Sequence, residues 1–299
     1  MYNQIAANRR KSLLLIALFV GVCAGAGYIY GLTTGTGTSG LIYALTISLV
    51  YTAFSWFFGD KMVLWTTGAQ EIKNRDQNPY LWNLVENLSI TAGIPQPKLY
   101  VIQDPALNAF ATGRDPKHAS IAVTSGIVQA LENEELEGVI AHELSHVKNE
   151  DSKVMLLAAV LVGVLSLIGD GLLRSLFFRR DDREERGSLG TVGLVVGIAF
   201  IIISPLIGQL IQLAISRQRE YLADASGALL TRYPEGLARA LEKIGASRTP
   251  VARSSTATAH LWISNPEGNQ PSFFQKINHF FSTHPPVEER IKRLRSLTQ

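Results

Sequence analysis

The sequence predicts a mostly α-helical, multi-pass membrane protein with a mixed α+β domain outside the bilayer. Three observations predict it. Four apolar runs each reach about bilayer length, roughly 20 residues. Between the second and third runs, helix-like and strand-like patterns alternate over short segments. That stretch ends on the pentapeptide His142-Glu143-Leu144-Ser145-His146. Of the 299 residues, 46% are hydrophobic, and the apolar excess is concentrated in the four runs.

The first run, Ser12 to Leu32, and the second, Ser39 to Phe58, carry no charge. The third covers Val154 to about Leu173 and is broken by Asp170; the fourth covers Thr191 to Ile215. A buried core helix explains any one run, but four of this length point to bilayer spans. Gly25, Gly27 and Pro205 are tolerated in such helices. Arg9, Arg10 and Lys11 precede the first run, as in a signal peptide, but the run is long and a second span follows at once, which reads as an uncleaved anchor.

The same basic residues place the N-terminus in the cytoplasm, because the loop Thr33–Thr38 has none. The second span returns the chain to that side, and a hairpin formed by the third and fourth runs keeps Arg217–Gln299 there as well. Against a simple hairpin stands its tip, Arg179 to Arg186, with four arginines and four acids. Asp170 and Arg174, four apart, have the spacing to neutralise each other. The chain thus divides into a pair of spans (1–58), the first half of a cytoplasmic domain (59–153), a transmembrane hairpin (154–215) and the second half of the domain (216–299).

Within the first half, Tyr80–Ala92 reads as an amphipathic helix, and Lys98–Ile102 and Ser120–Thr124 as short strands with Asn108–Thr112 between them. Ser120–Thr124 is a candidate edge strand for pairing with an extended substrate, and equally a purely structural strand. A helix carries the pentapeptide: Asn133 is a candidate N-cap, Glu134, Glu135 and Glu137 fill the acid-favoured first turns, and Leu136, Ile140, Leu144 and Val147 recur at helical spacing.

On that helix His142 and His146 share a face, so both imidazoles reach one ion, and Glu143 lies beside them as a base for water. This is the zinc metallopeptidase pattern, and it makes the extramembrane domain zincin-like. The bland alternative is two core histidines and a surface glutamate. A third ligand is offered by Arg217-Gln218-Arg219-Glu220-Tyr221-Leu222-Ala223-Asp224. There Glu220 and Asp224 lie four apart: one carboxylate for the metal, the other for the free ring nitrogen of a ligating histidine. A solvated charged helix is the competing reading of that segment.

Four segments together carry a family resemblance: Asn108-Ala109-Phe110-Ala111-Thr112-Gly113, HELSH at 142–146, Arg219-Glu220-Tyr221-Leu222-Ala223-Asp224, and His284-Pro285-Pro286. In their order and in the placing of the apolar runs the whole chain resembles the HtpX family of bacterial membrane-bound heat-shock zinc metalloproteases, part of a wider group that includes the CAAX prenyl endopeptidases. The resemblance implies one zinc ion per chain, bound by His142, His146 and Glu220. Glu143 is then the catalytic base and later the proton donor, with Asp224 supporting a ligand. It also implies His284 near the zinc, stabilising the oxyanion, with Arg290 as a supporting charge, and Asn108 on or beside the strand that receives substrate. A turn-shaping role for His284 and turn chemistry for Asn108 stay open beside these.

The expected function is therefore a zinc metalloendopeptidase at the cytoplasmic face of the bacterial inner membrane. It would act on unfolded or membrane proteins in quality control and stress response. The rivals are a selective processing peptidase for lipidated or membrane substrates and a membrane scaffold with a structural zinc. A structural site would close with a fourth protein ligand and would not need Glu143. If the helices at 142–154 and 215–220 run on unbroken, the metal lies roughly 8–12 Å from the membrane surface at 1.5 Å per residue. Cys23 is the single cysteine, so no intramolecular disulfide framework exists. The net charge of +3, without a basic cluster interleaved with aromatics, gives no support for nucleic-acid binding. The Ser-, Thr-, Pro-, Asn- and Gly-rich stretch Thr249–Gln275 reads as a mobile loop, a cover for the cleft and a place for self-cleavage. Oligomeric state, cleavage preference and the identity of the substrate are not encoded in any readable motif.

Overall fold

The structure, a computed structural model, describes residues 2–178, 217–255, 257–267 and 285–297. The first apolar run lies in helix α1 (Tyr2–Thr34) and the second in α2 (Ser39–Thr67), which continues nine residues past Phe58, the expected end of the run. Among the described residues, these are the two helices long and apolar enough to cross a bilayer. Their outer faces fit that solvent: Leu13, Leu14, Ile42, Tyr43, Ile47, Val50 and Phe57 are all exposed. The third run forms α6 (Asp151–Phe178), whose first half packs against α1 through Leu15, Phe19, Val154, Leu157 and Leu161 and against α2 through Val63, Leu64, Met155 and Leu156. The fourth run and the charged tip at 179–186 lie outside the described residues.

Beyond α2 the chain forms β1 (Gln70–Ile72), α3 (Pro79–Ala92), β2 (Lys98–Ile102), β3 (Ala109–Gly113), β4 (Ala119–Thr124), α4 (Ser125–Ala130) and α5 (Asn133–Lys148). After α6 come α7 (Arg217–Thr231), α8 (Pro234–Ala246) and α9 (Val287–Arg295). The protein is mostly helical with a small sheet, of order β1-β2-β4-β3. β4 runs parallel to β2 and antiparallel to β3, with Tyr100 and Phe110 both opposite Ala122. β4 is therefore an interior strand, and its backbone groups are taken on both sides. The sequence expectation that Ser120–Thr124 is the edge for substrate is corrected: β3 is the outer strand. The short β1 had no period-2 signal to reveal it, being only three residues long.

Alternation in β3 and β4 sorts two cores. Ala109, Ala111, Ile121 and Val123 face a core shared with Leu81 and Val85 of α3, Leu136, Ile140 and Leu144 of α5, and Leu237 and Leu241 of α8. Phe110 and Ala122 face the opposite way, toward Val63 and Leu64 of α2, Met155 and Leu156 of α6, and Trp262. The sheet thus lies between the motif-bearing helix α5 and the helices α2 and α6.

α5 begins where expected, but its cap is Glu132 rather than Asn133. The Glu132 N–H donates to the Glu135 carboxylate at 2.9 Å, and Lys243 and Arg239 of α8 neutralise that carboxylate. α5 ends at Asn149–Glu150, where Glu150 takes the left-handed conformation at φ 57°. A non-glycine residue there is strained; ion pairs from Glu150 to Arg9 and Lys153 at 3.1 and 2.7 Å hold it. The corner has a consequence. α5 does not run unbroken into α6, so the metal-depth estimate loses its premise on that side.

Candidate metal centre

The two histidines of α5 meet the glutamate of α7 in a buried triangle. His142 Nε2 and His146 Nε2 lie 3.2 Å apart, His142 Nε2 and Glu220 Oε2 3.7 Å, and His146 Nε2 and Glu220 Oε1 3.6 Å. These are the spacings a cation needs: tetrahedral bonds of about 2.0–2.1 Å set ligand atoms about 3.3 Å apart. Among the described residues, this is the one group of His, Cys, Asp and Glu whose donor atoms converge so closely. The donor chemistry, two imidazoles and a carboxylate, is that of zinc sites with an open position.

Close approach of α7 to α5 is what completes the triangle. Gly227, almost two turns after Glu220, lies against the α5 backbone, where an added Cβ would sit 3.0 Å from the His142 nitrogen. Any larger side chain would push Glu220 away from the histidines.

Each histidine has a carboxylate behind it. His142 Nδ1 lies 3.0 Å from Asp224 Oδ1, and Asp224 is gripped in turn by Arg290 of α9, Nε to Oδ2 at 2.9 Å and Nη2 to Oδ1 at 2.7 Å. Arg290 also donates to the Ile263 carbonyl at 3.2 Å and is fully buried. Burial alone would raise the pKa of Asp224, but Arg290 and His142 hold it well below the usual carboxylate range. On the other side, His146 Nδ1 lies 3.2 Å from Asp151 Oδ2. Burial opposes a charge on His146, yet the Asp151 contact and the negative charges of Glu220, Asp151 and Glu143 raise it to about 9. The cluster is thus rich in negative potential of the kind a cation offsets.

Glu143 points to the same space from α5. It is buried, its Oε2 has no hydrogen-bond partner among the described residues, and its carboxylate accepts from the Ala111 N–H of β3. Burial pushes its pKa up, only partly countered by His142 and His146. A buried carboxylate with one oxygen unengaged, beside three converging donors, is an arrangement for taking and returning a proton.

The other expected residues fall as follows. Asn108 immediately precedes β3 and is buried; its Nδ2 donates to the Ser264 carbonyl at 3.0 Å, and its Oδ1 accepts from the N–H of Ser264 at 3.3 Å and of Ala109 at 3.1 Å. Its amide is engaged as a clamp on the 262–264 segment. That segment is part of the expected mobile loop. Over the described residues it is instead tied down: Ile263 N–H donates to the Ala109 carbonyl at 2.9 Å, and Trp262 meets Phe110 edge-on at 4.8 Å between ring centroids. It covers the free edge of β3 at Ala109–Phe110. His284 and the rest of that loop, 268–275, lie outside the described residues.

Sequence reasoning missed Asp151. The signal was available only as a carboxylate five residues past His146, a spacing that unbroken helix would have swung away; the left-handed Glu150 brings it back.

A helix-borne HExxH motif, a glutamate from a later helix and a flanking strand together define a metallopeptidase. Comparison with known proteins gives the family. The model for peptidase family M48 matches residues 75–298. The chain is 46% identical over 297 residues to a protein named protease HtpX homolog from Tropheryma whipplei, covering 99% of this chain and 98% of that one. Homologs of the same name from Caldanaerobacter subterraneus and Lactobacillus helveticus are each 44% identical, covering 100% and 99% of this chain and 98% and 100% of theirs. In fold, the chain is similar to the crystal structure of S. mikatae Ste24p, with a TM-score of 0.51 and 16% identity over 98% of this chain and 67% of that one. The chain belongs to peptidase family M48: it is an HtpX-like metallopeptidase, a hydrolase of peptide bonds.

Proposed function

We propose that the protein is a membrane-integrated zinc endopeptidase that cleaves misfolded or damaged proteins at the cytoplasmic face of the bacterial inner membrane. The observation that carries this reading is the buried triangle of His142, His146 and Glu220 with Glu143 beside it. In this proposal those three residues hold one zinc ion. The chain crosses the bilayer in α1, α2 and a hairpin over 154–215, with peptidase segments 59–153 and 216–299 on the cytoplasmic side. Support for the membrane setting comes from the two apolar helices with exposed apolar faces and from the basic residues Arg9, Arg10 and Lys11 before the first apolar run.

Zinc, when bound, supplies a Lewis acid that acidifies a water molecule and polarises the scissile carbonyl. Glu143 takes the proton from that water as it attacks the carbonyl carbon, and later delivers it to the amine nitrogen as the C–N bond breaks. Its raised pKa suits both steps, since a stronger carboxylate base still releases its proton to an amine. Asp224 holds the His142 ring through Nδ1, and Arg290 keeps Asp224 ionised and fixed. His284 is proposed to stabilise the oxyanion, as the family resemblance implies. An extended substrate adds to β3 beyond the stretch covered by Trp262 and Ile263, so recognition is through the backbone and tolerant of sequence.

The test uses detergent-purified protein, wild type and Glu143→Gln, with bound zinc and cleavage of an unfolded model protein measured side by side. The expected outcome is one zinc per chain in both and a loss of cleavage of at least about 100-fold in the variant. Cleavage that survives in the variant would remove Glu143 from the reaction.

A further inference from the structure

Where α1, α5 and α6 meet, a cluster of buried polar groups stands outside the proteolytic reaction. Asn8 lies on the N-terminal part of α1, within the stretch Ile5–Ile29 that is apolar enough to cross a membrane, and is almost fully buried. Its side-chain amide donates to Asp151 Oδ1 at 2.7 Å and to the Asn149 carbonyl at 2.9 Å. Asp151 is itself buried; its other oxygen faces His146 Nδ1 at 3.2 Å, and Arg219 Nη1 lies 3.7 Å from Oδ1. An unbroken chain of contacts therefore runs from the first membrane helix to His146: Asn8, Asp151, His146.

The chemistry of each link is specific. A buried carboxylate is costly unless its oxygens are engaged. Here one oxygen takes the Asn8 amide and the other takes the proton on His146 Nδ1. That second bond fixes the tautomer, so Nε2 keeps its lone pair turned toward the triangle with His142 and Glu220. The Asn149 carbonyl, at the end of α5, is one of the acceptors a helix terminus leaves open, and Asn8 fills it. The same corner holds the strained Glu150, paired to Arg9 one residue on from Asn8. Two neighbouring residues of the membrane helix thus clamp the short connection that aims Asp151 at the ligand.

We infer that Asp151 is a positioning residue for His146 and that Asn8 couples the first membrane helix to the metal affinity of the site. The inference rests on the proposed reading of His146 as a ligand. The anchor is then part of the metal site's support rather than a tether alone. A shift or loss of α1 frees Asp151 to turn, His146 loses its fixed tautomer, and metal is released.

The full-length protein in detergent tests this through zinc affinity by chelator competition and through the visible absorption of the cobalt(II)-substituted site, which reports ligand geometry independently of turnover. Wild type, His146→Ala, Asp151→Asn, Asn8→Ala and Arg9→Ala are compared. If the wild type binds no zinc, or His146→Ala binds it as tightly, the reading of the site fails and the inference with it. With that reading intact, Asp151→Asn is expected to lower zinc affinity about 10- to 100-fold and to shift the cobalt spectrum. Asn8→Ala is expected to change both in the same direction by less, about tenfold at most, and Arg9→Ala, whose side chain reaches Glu150 but not Asp151, by less again. Affinity and spectrum unaltered in Asp151→Asn overturn the positioning role. An Asn8→Ala protein identical to wild type overturns the coupling to the membrane helix. Should Asp151→Asn fail to fold, the milder Asn8→Ala decides by the same two readouts.

Discussion

The two ends of the HExxH helix hold their histidines differently. His142 is backed by Asp224, which a bidentate arginine from the far C-terminal helix α9 locks in place. His146 is backed by Asp151, at the corner where α5 gives way to α6, and its support comes from Asn8 and Arg219. One end is held by a bidentate, fully buried charge pair; the other is a carboxylate shared between the amide of Asn8 and the more distant guanidinium of Arg219. The difference teaches that a single five-residue motif is steadied by distant segments at one end and, at the other, by a carboxylate just past the helix that Asn8 and Arg219 hold in place.

The largest effect is expected from breaking the His142 end. Arg290→Ala leaves Asp224 charged and buried without its partner and should destabilise the fold by about 3–5 kcal/mol. Chemical unfolding in detergent measures this; Arg290→Lys, which keeps the charge and loses the fork, should recover only part.

Acid acts next, and separates a histidine on the α6 side from the carboxylate behind His142. His260 is buried on the α6 side, its ring Nε2–H donates to the Met155 carbonyl at 2.9 Å, and burial, the largest influence, lowers its pKa from 6.5 to about 4. The folded state therefore binds this proton more weakly than the unfolded state. Its contribution is fully present above about pH 6.5 and is lost as pH falls toward 4, by about 3 kcal/mol. Asp224 shifts the other way, below the usual carboxylate value, so its contribution persists through that window and is lost only in stronger acid. Unfolding free energy measured between pH 7 and 4.5 should fall in the wild type, and this part of the slope should vanish in His260→Gln.

The smallest effect sharpens the geometry of the triangle. Gly227→Ala places a methyl 3.0 Å from the His142 nitrogen and should cost about 1–3 kcal/mol by overpacking. Because α7 carries Glu220, zinc should be retained less well after dialysis against a chelator than in an alanine variant at exposed Leu229, two positions on.

Much of the site was legible because its signals are local. His142 and His146 share one helical face, Glu220 and Asp224 share another, and the apolar periodicity of 136–147 fixes which way α5 turns. Lys98–Ile102 and Tyr80–Ala92 were readable for the same reason, a short apolar run in one and helical spacing in the other. β4 was legible as a strand but not as an interior one, since strand order depends on partners rather than on the strand's own residues. Asp151 was hidden because its function depends on a left-handed residue that no pattern rule assigns to glutamate. Asn108 was visible as a polar residue before a strand; that its amide is spent on Ser264 depends on a segment more than 150 residues on.

The sequence by itself determined the reaction class, the three residues that converge in the buried triangle and the two long apolar helices, because each is written in spacing along an element or in length and composition. The tertiary structure alone decided which strand is the edge, what covers it and which carboxylate steadies each histidine. Those depend on the α5–α6 corner and on the approach of α7 and α9, contacts between distant segments that packing selects and local propensity does not encode.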